Sequence, residues 1–531
     1  MARFQYILIF ICSALFLRAQ PFAVHLNQNI YYSGDALHYR IYPEQDLLPD
    51  STLIYVEWYN ERDSMILQQI HRFKELSVGG QFNLPNSLCE GNHSLVIYSV
   101  LDQVQGIGSK IIYSVYSIPV LNDLAEGPDP EMAMAWYASH KLNFTQVMSL
   151  PTGDSIQFNA STLYQTISSP LKEFSLSVNH YLEEDTTSNR AVLYSGLVFS
   201  PDYSFRKNIY LDGDVIDPLT NKPTDQKYIS FYLPSNGKFN RVQAVHGLIK
   251  TPVGDFTNSK QFQLLDLNPN KRIPLIWNAK SSYFDINALA GLQHKIDRTP
   301  KIHYLLIQHA KRRLIRAMFD LVDKPVPPPV IRNKKFHADK TYMISEFQDI
   351  KSLEEFINEV MIDSRITSVI NNKKSLRLRD YDRHDLFHWP AWYMIDGYFR
   401  GDEDVMLSFD ISRIKSIDLF LRSGTINNQF DSLMRYSGIF SINTYVGEQI
   451  PKWVYTFNGL YAGPENKSTL KPNDEVPDLR MALEWKDSLN DSSLPLYFKP
   501  SHIGGKYVIQ IKGVALDGNF KQASKFIEIQ N

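Results

Sequence analysis

The 531-residue chain is poor in cysteine. It contains two, Cys12 and Cys89, and Cys12 lies within an apolar run at the N-terminus. Removal of that run leaves Cys89 as the only thiol, which excludes an internal disulfide and a cysteine metal cluster. We therefore expect hydrophobic cores, rather than covalent cross-links, to hold the chain together.

The chain also lacks an excess of either charge. Its formal net charge is −2, so no global field attracts nucleic acid or a membrane surface. Beyond the N-terminus we find no apolar run long enough for a transmembrane helix. Hydrophobic residues make up 44% and charged residues 21%, a normal globular balance. The length suffices for about three to five domains.

Sequence motifs for common catalytic sites are missing as well. We find no Gly-x-Ser-x-Gly elbow, phosphate loop or His-Glu-x-x-His motif, so we expect no enzyme activity and no cofactor. His384 and His388 in "RHDLFHW" have the spacing of a helical metal pair. No third ligand is evident, and a packing or hydrogen-bonding role is favoured. A short acidic run does not match a calcium loop and is better explained by turn chemistry: Asp212, Asp214 and Asp217.

The first 19 residues are predicted to be a signal peptide. Arg3 precedes the apolar run "YILIFICSALFL", which has the length of a signal core and is too short to span a bilayer. Ala19 is a plausible cleavage position. Cys12 lacks the small-residue context of a lipoprotein signal. We therefore expect an exported protein without a lipid anchor.

Short strands dominate the next part of the chain. Residues 20–122 contain seven segments with alternating apolar positions and frequent turns, the pattern of an antiparallel β-sandwich. Residues 123–207 begin with a short helix, which Asp129 can cap and Pro130 can open. Strand patterns then resume, which predicts a second β-domain.

Three further segments are predicted outside the α+β region described below. Residues 208–300, with Asp-Gly and Asp-Pro turns, have the pattern of a small sandwich. Residues 301–339 combine a helix with a proline-rich linker. Residues 447–531 return to strand patterning. The helix carries a basic run that could bind phosphate or an acidic partner, but a solvated face is favoured: Lys311, Arg312, Arg313 and Arg316.

Residues 340–446 mix helix and strand signals. Ser352 and Glu355 form a capping box at the start of an amphipathic helix. In "WPAWYMIDGYFRGDED" an apolar strand runs into Asp396-Gly397, a pair suited to a two-residue hairpin loop. Asp410 is positioned to cap a short helical turn before another strand. We predict a compact α+β domain.

Three motifs in this domain resemble the plug domain of TonB-dependent outer-membrane receptors. They are "PAWYMIDGYF", "DISRIKSIDLF" and "SGIFSINTY", in that order. The resemblance assigns a structural or docking role to seven residues: Ile395, Asp396, Gly397, Asp410, Ile414, Ile417 and Gly438. Near the N-terminus, "VHLNQNIYYSGDALHYRIY" resembles macroglobulin-type domains, and "LDGDVIDPLTNKPTDQKYISFYL" resembles a carboxypeptidase regulatory-like sandwich.

This order of domains resembles a family of exported Gram-negative proteins. It implies a multidomain, mainly β fold, with tandem antiparallel macroglobulin-like β-sandwiches and an α+β plug-like domain. A receptor barrel needs about 22 strands, and the 85 residues after Val446 (531 − 446) are too few to supply them. We therefore expect a free plug-like domain rather than a receptor.

The resemblance implies a function that depends on binding other proteins. We expect a non-enzymatic accessory or structural component of an outer-membrane transport, secretion or assembly complex, with outer-membrane or periplasmic proteins as partners. It would lie in the periplasm or at the outer membrane. The alternative is a secreted protein that binds glycans or host proteins through aromatic-rich sandwich surfaces. Trp389 and Trp392 are the best candidates for an exposed aromatic contact, although burial of both is favoured.

Overall fold

The structure is a computed structural model that describes the chain from residue 20 to residue 529 with internal gaps. The gaps are residues 45–46, 75, 106–107, 125–128, 135–148, 151–155, 160–166, 168–169, 182–190, 196–200, 225–228, 269–270, 293–295, 297, 319–333, 348, 369–373, 402, 448–450, 464–479, 481, 491–494, 502 and 504. The predicted signal peptide and proline-rich linker lie outside the described residues.

The chain divides into two compact units. Unit 1 comprises Met1–Asn208, Ser282–Val326 and Leu460–Asn531, and unit 2 comprises Ile209–Ser281 and Pro327–Gly459. Both consist mainly of strands arranged in several sheets, which confirms the multidomain, mainly β fold class. The predicted domain boundaries stay predictions.

Strands are numbered in chain order. The first part of unit 1 contains β1 (Phe22–Leu26), β2 (Tyr31–Tyr32), β3 (Ala36–Pro43), β4 (Leu53–Tyr59), β5 (Met65–Arg72), β6 (Val78–Asn83), β7 (Gly91–Gln103), β8 (Ser109–Leu121), β9 (Ser149–Leu150), β10 (Ile156–Asn159), β11 (Leu171–His180), β12 (Leu193–Tyr194) and β13 (Tyr203–Phe205). Unit 2 contains β14 (Tyr210–Asp217), β15 (Lys222–Pro223), β16 (Ile229–Leu233), β17 (Lys238–Val242), β18 (Leu248–Pro252), β19 (Lys260–Asp266), β20 (Ile276–Ala279), β21 (Lys340–Met343), β22 (Ser364–Ser368), β23 (Lys374–Asp380), β24 (Asp385–Leu386), β25 (Trp392–Ile395), β26 (Tyr398–Arg400), β27 (Ile414–Phe420), β28 (Ile439–Thr444) and β29 (Tyr455–Phe457). Unit 1 ends with β30 (Ala482–Leu489), β31 (Pro495–Phe498), β32 (Gly505–Ala515) and β33 (Phe520–Ile529).

Four α-helices are labelled here: α1 (Pro300–Met318), α2 (Leu353–Glu359), α3 (Glu403–Leu407) and α4 (Ser423–Gln429). A short helix also begins at residue 130, where the Asp129 carboxylate accepts hydrogen bonds from the Glu131 and Met132 amides, as predicted. Among the described residues, no helix has the length and apolar character needed to cross a membrane.

A two-sheet sandwich forms the N-terminal part of unit 1. One sheet has the order β1-β3-β6, and the other has the order β12-β8-β7-β4-β5. Alternate side chains of both sheets fill one core, in which Phe22, Tyr39, Trp58 and Leu95 are fully buried. The predicted N-terminal sandwich is therefore present, and β12 and β13 from later in the chain add to its larger sheet.

The last strands of unit 1 form a five-stranded sheet with β11, in the order β30-β11-β32-β33-β9. One face is apolar and contributes Phe174, Leu176, Ile509 and Ile511 to a separate core. The opposite face is polar. Its side chains come from the positions of the same strands that alternate with the apolar ones.

Helix α1 is held to the sandwich of unit 1 by buried charges. His309 lies between two carboxylates, with Nδ1 3.2 Å from Asp123 Oδ2 and Nε2 3.6 Å from Asp35 Oδ1. The Arg313 guanidinium is 2.6 Å from the fully buried Asp123 carboxylate. The prediction of a solvated basic face is therefore wrong for Arg313, because the buried carboxylate needs a cation.

The position of His309 predicts a pH dependence. Burial disfavours its charged form, but hydrogen bonds to Asp123 and Asp35 outweigh burial and raise the pKa of His309 above 6.5. Its stabilising contribution is thus complete below pH 6.5 and is lost as the pH rises through the raised pKa. We expect His309→Gln to remove part of the fall in unit 1 stability at alkaline pH, measured as melting temperature against pH. The control is His388→Gln, because the exposed His388 lies in unit 2 and its replacement leaves the unit 1 contacts in place.

Unit 2 begins with a small sandwich. Strand β14 pairs with β15, β18 and β20, while β17, β16, β19 and β29 form the second sheet. Val215, Phe231, Phe262 and Leu275 are buried between these sheets. Asp217 accepts hydrogen bonds from the Leu219 and Thr220 amides and pairs with a lysine, which agrees with turn chemistry for the acidic run.

The remainder of unit 2 is an α+β arrangement built on a mixed sheet of order β21-β27-β28-β25-β26. Strands β25 and β28 are parallel, and the other pairs are antiparallel. Ser352 caps helix α2, since its side chain accepts from the Glu355 amide at 3.1 Å. The Glu355 carboxylate accepts from the Lys351 amide at 2.7 Å. The predicted N-terminal cap is confirmed, and Phe356 and Ile357 of this helix are buried in the sheet's core.

Candidate functional site

The hairpin predicted at Asp396-Gly397 is present. Strands β25 and β26 are antiparallel, with Ile395 opposite Tyr398. The two residues between them have φ angles of 48° and 85°. A tight two-residue hairpin loop requires positive φ at both positions, and Asp-Gly is suited to it. The predicted hairpin is therefore confirmed.

The Asp396 side chain fixes this turn to the end of the neighbouring parallel strand. One carboxylate oxygen accepts from the Thr444 amide at 2.8 Å, and the other accepts from Thr444 Oγ1 at 2.7 Å. Thr444 Oγ1 in turn accepts from the Gly447 amide at 2.9 Å. The turn and the chain leaving β28 are therefore held as one unit.

A second capped turn lies at the same end of the sheet. Asp410 accepts from the Ser412 amide at 3.0 Å and from Ser412 Oγ at 2.8 Å. These hydrogen bonds lower the pKa of the Asp410 carboxyl. The Tyr445 amide donates to the Arg413 carbonyl at 3.2 Å, which links this turn to the residues that follow β28.

The structure brings the seven plug-like motif residues into one sheet and its turns. Ile395, Ile414 and Ile417 are almost fully buried, and Gly438 precedes β28 with a φ of 66°. Asp410 is exposed. Six of the seven thus form the frame of the sheet rather than its surface. Their assignment to a plug domain stays a prediction.

Exposed residues of a different kind lie on this frame. Tyr445 is 59% exposed and Val446 is 96% exposed. The exposed Arg413 stacks over the half-buried Phe409 ring, at 5.3 Å from its centroid. We call Phe409, Ser412, Arg413, Tyr445 and Val446 the turn-end patch.

The turn-end patch was not identified from the sequence. The segment "SGIFSINTY" is predicted only as part of the plug-like domain, and strand alternation cannot distinguish a buried aromatic residue from an exposed one. One signal was available, since Tyr445 and Val446 lie between the end of the strand and Gly447, where the pleat is lost. Two apolar residues at such a position are candidates for a surface contact.

The chemistry of this patch is that of recognition. It offers an aromatic ring, an aliphatic side chain and a guanidinium, and Tyr and Arg are enriched among residues that dominate binding energy at protein interfaces. The neighbouring Asp410 carboxylate accepts hydrogen bonds from Ser412.

Two buried carboxylates elsewhere have structural partners. In unit 1 the Glu57 carboxylate accepts four hydrogen bonds, from the side chains of Tyr59, Tyr98, Ser282 and Gln68. In unit 2 the Asp363 carboxylate is bound by the side chains of Lys340, Tyr342 and Tyr381. Glu57 is 0% exposed and Asp363 is 2% exposed. Burial to this degree suits a structural role.

One edge of the mixed sheet is closed. At β26 the Gln263 side chain makes the two backbone hydrogen bonds that a neighbouring strand would make. It donates to the Phe399 carbonyl at 3.0 Å and accepts from the Phe399 amide at 2.9 Å. Strand addition at the hairpin edge is therefore blocked. At the other edge, no strand in the described part of unit 2 pairs with the outer side of β21.

The remaining candidates from the sequence are not arranged as sites. His384 lies in a turn with a φ of 59°, and the strand Asp385–Leu386 separates it from His388, so the two do not share a helix. The described residues contain no cluster of three or more potential metal ligands. Trp392 is 2% exposed and therefore cannot serve as the aromatic platform considered for a glycan.

Comparison with known proteins identifies no family. No family model matches the chain, and no curated protein matches it. Among solved structures, it aligns with a point mutant of Salmonella alpha-2-macroglobulin at 8% identity and a TM-score of 0.24, covering 96% of this chain and 40% of that one. For trypsin-activated alpha-2-macroglobulin from Escherichia coli the values are 8%, 0.24, 97% and 42%. The chain thus spans about two fifths of these proteins, and similarity at this level does not establish a shared fold.

Proposed function

We propose that this chain is a non-enzymatic protein whose turn-end patch binds another protein. The observation that carries the proposal is the exposure of Tyr445 and Val446 beside Arg413, at one end of a sheet that two capped turns hold in place. Exposed aromatic and aliphatic side chains next to a guanidinium are typical of residues that contribute most to protein recognition.

The rigidity of the frame supports the same proposal. Asp396 and Asp410 fix the backbone on both sides of the patch through side-chain hydrogen bonds to amides. A binding surface that is ordered before it meets its partner loses less conformational entropy on association, which favours affinity. The motif residues thus act as support, while the patch makes the contact.

For the partner, we propose an outer-membrane or periplasmic protein within a transport, secretion or assembly complex. The support for this finer statement is in the sequence: the predicted signal peptide at 1–19 and the resemblance of "PAWYMIDGYF" and its two companion motifs to receptor plug domains. A secreted glycan-binding protein is the competing function, and a glycan array with the full chain tests it directly.

We expect Val446→Asp and Arg413→Glu each to weaken partner binding about tenfold or more, because loss of a central interface residue costs about 2 kcal/mol or more. Neither change should lower the melting temperature appreciably, since both side chains are exposed. The measurement has two steps: photo-crosslinking from Val446 in native membranes identifies the partner, and titration with that purified partner gives the affinities.

The matched control is Ile362→Asp, which changes a 78% exposed β-branched residue of the same unit. This variant should bind like the wild type. If Val446→Asp and Arg413→Glu also retain full affinity, the turn-end patch is not the binding surface.

A further inference from the structure

The polar face of the five-stranded sheet in unit 1 packs against strands β1 and β3 of the sandwich. His25 of β1 is fully buried there, and its ring nitrogens lie 2.6 Å from Ser175 Oγ and 2.9 Å from Ser177 Oγ of β11. The Tyr42 hydroxyl of β3 lies 2.8 Å from Ser175 Oγ. We call these contacts, together with Lys512 of β32, the polar seam.

Lys512 is the unusual member of this seam. It is 3% exposed, and its amine donates to the Val24 carbonyl at 3.5 Å. The backbone carbonyl of Lys512 accepts a hydrogen bond from the Tyr42 hydroxyl at 3.0 Å. A lysine amine enclosed in this way is far from water, and burial strongly disfavours its charged form.

The charges around Lys512 do not compensate for this burial. On the sandwich side the titratable and charged groups are His25, His38, Arg40 and Tyr42, and on the sheet side they are Glu173, Asp487, Lys506 and Glu528. The Glu173 carboxylate is bound by Arg40, Ser77 and Ser488. Asp487 acts on His38, and Glu528 lies opposite Lys506 in the strand register.

The energetic consequence is that the seam assembles best when the Lys512 amine and the His25 ring are both neutral. Burial lowers the pKa of Lys512 to about 7, and burial followed by the charge of Lys512 lowers the pKa of His25. An open seam therefore binds more protons than a closed one between pH 7 and pH 10.5, and closure is favoured as the pH rises through that window. Below pH 6.5 the cost of keeping His25 neutral adds to the same effect.

We propose that the polar seam is an acid-sensitive joint, in which proton uptake by Lys512 and His25 separates the five-stranded sheet from strands β1 and β3 without unfolding either. The two sides have independent hydrophobic cores, which allows each to persist after separation. Acid would therefore expose a buried polar face. His309 responds in the opposite direction, because acid strengthens its contacts.

The experiment measures the distance between the two sides of the seam in the full chain. Spin labels are placed at Asn83 on β6 and at Ser524 on β33, both exposed, in a Cys12→Ser, Cys89→Ser background that removes both native thiols. We expect one narrow distance distribution at alkaline pH. Below the Lys512 pKa of about 7 we expect a longer and broader one, with unchanged far-ultraviolet circular dichroism.

Two lysine variants test the assignment. Lys512→Met removes the titrating amine and should move the opening to below pH 6.5, where His25 alone acts. Lys525→Met removes an exposed lysine of the same sheet and should open like the wild type. The proposal is overturned by a distance that stays constant on acidification, by an unchanged midpoint in Lys512→Met, or by opening that coincides with loss of the circular dichroism signal.

Discussion

Replacing Gly438 with alanine is expected to destabilise unit 2 by about 2 to 5 kcal/mol. Gly438 has a φ of 66°, a left-handed conformation that a side chain makes costly. A Cβ atom there would lie 2.8 Å from the Phe387 ring and 3.1 Å from a Leu378 methyl, both buried in the core. The expected loss combines the backbone cost with overpacking.

Gly424 provides the matched control. It lies within helix α4, has open space around its Cα and does not adopt a positive φ. Gly424→Ala is therefore expected to stabilise unit 2 by about 0.5 to 1 kcal/mol, because alanine loses less entropy in a helix. Urea unfolding of both variants gives the free energies. Equal midpoints for Gly438→Ala and wild type would contradict the packing argument.

Local features of this fold were predictable from the sequence because they depend on neighbouring residues. The Ser352 cap, the Asp410 cap and the Asp396-Gly397 loop each require a particular side chain beside a particular backbone geometry. All three are present as predicted.

Long-range pairing was not predictable in the same way. Ser175 and Lys512 lie 337 residues apart and on adjacent strands of one sheet. Both strands show ordinary alternation, and alternation states which face is buried but not which strand is the neighbour. The combination of β11 with the C-terminal strands therefore required the structure.

Buried charge was underestimated for a related reason. A basic run on a helix is usually solvated, and the sequence contains nothing to link Arg313 with Asp123. The candidate site has the same limitation. Its frame was foreseen through Asp396 and Asp410, but the exposure of Tyr445 depends on where β28 ends relative to the two turns.

The second large effect is expected at Glu57 in unit 1. Glu57→Ala should destabilise that unit by about 3 to 5 kcal/mol, because it leaves buried donors without an acceptor and creates a cavity. The donors lie 2.6 to 2.7 Å from the carboxylate oxygens. They come from β4, β5 and β7 and from the segment that re-enters unit 1 at Ser282.

Glu354→Ala is the control for the loss of a glutamate. Glu354 pairs with Lys374 at 2.6 Å, but the two side chains are 37% and 49% exposed. An exposed ion pair of this kind is expected to contribute about 1 kcal/mol or less. Thermal and urea unfolding of both variants should therefore separate a buried carboxylate network from a surface pair.

The pH dependence of Glu57→Ala distinguishes loss of charge from loss of volume. Burial raises the pKa of Glu57 above 4.5 despite the hydrogen bonds that oppose the shift. The folded state therefore holds this proton more tightly than the unfolded state, and wild-type stability should fall as the pH rises from 4.5 through the folded pKa. Glu57→Ala removes the titrating group, so its stability deficit relative to wild type should be largest near pH 4.5 and smaller at higher pH.

Glu57→Gln keeps the side-chain volume and one acceptor oxygen. Its stability should lie between those of wild type and Glu57→Ala, and it should lack the pH dependence. A deficit that is the same at every pH would mean that Glu57 titrates alike in the folded and unfolded states, which would contradict the rise of its pKa on burial.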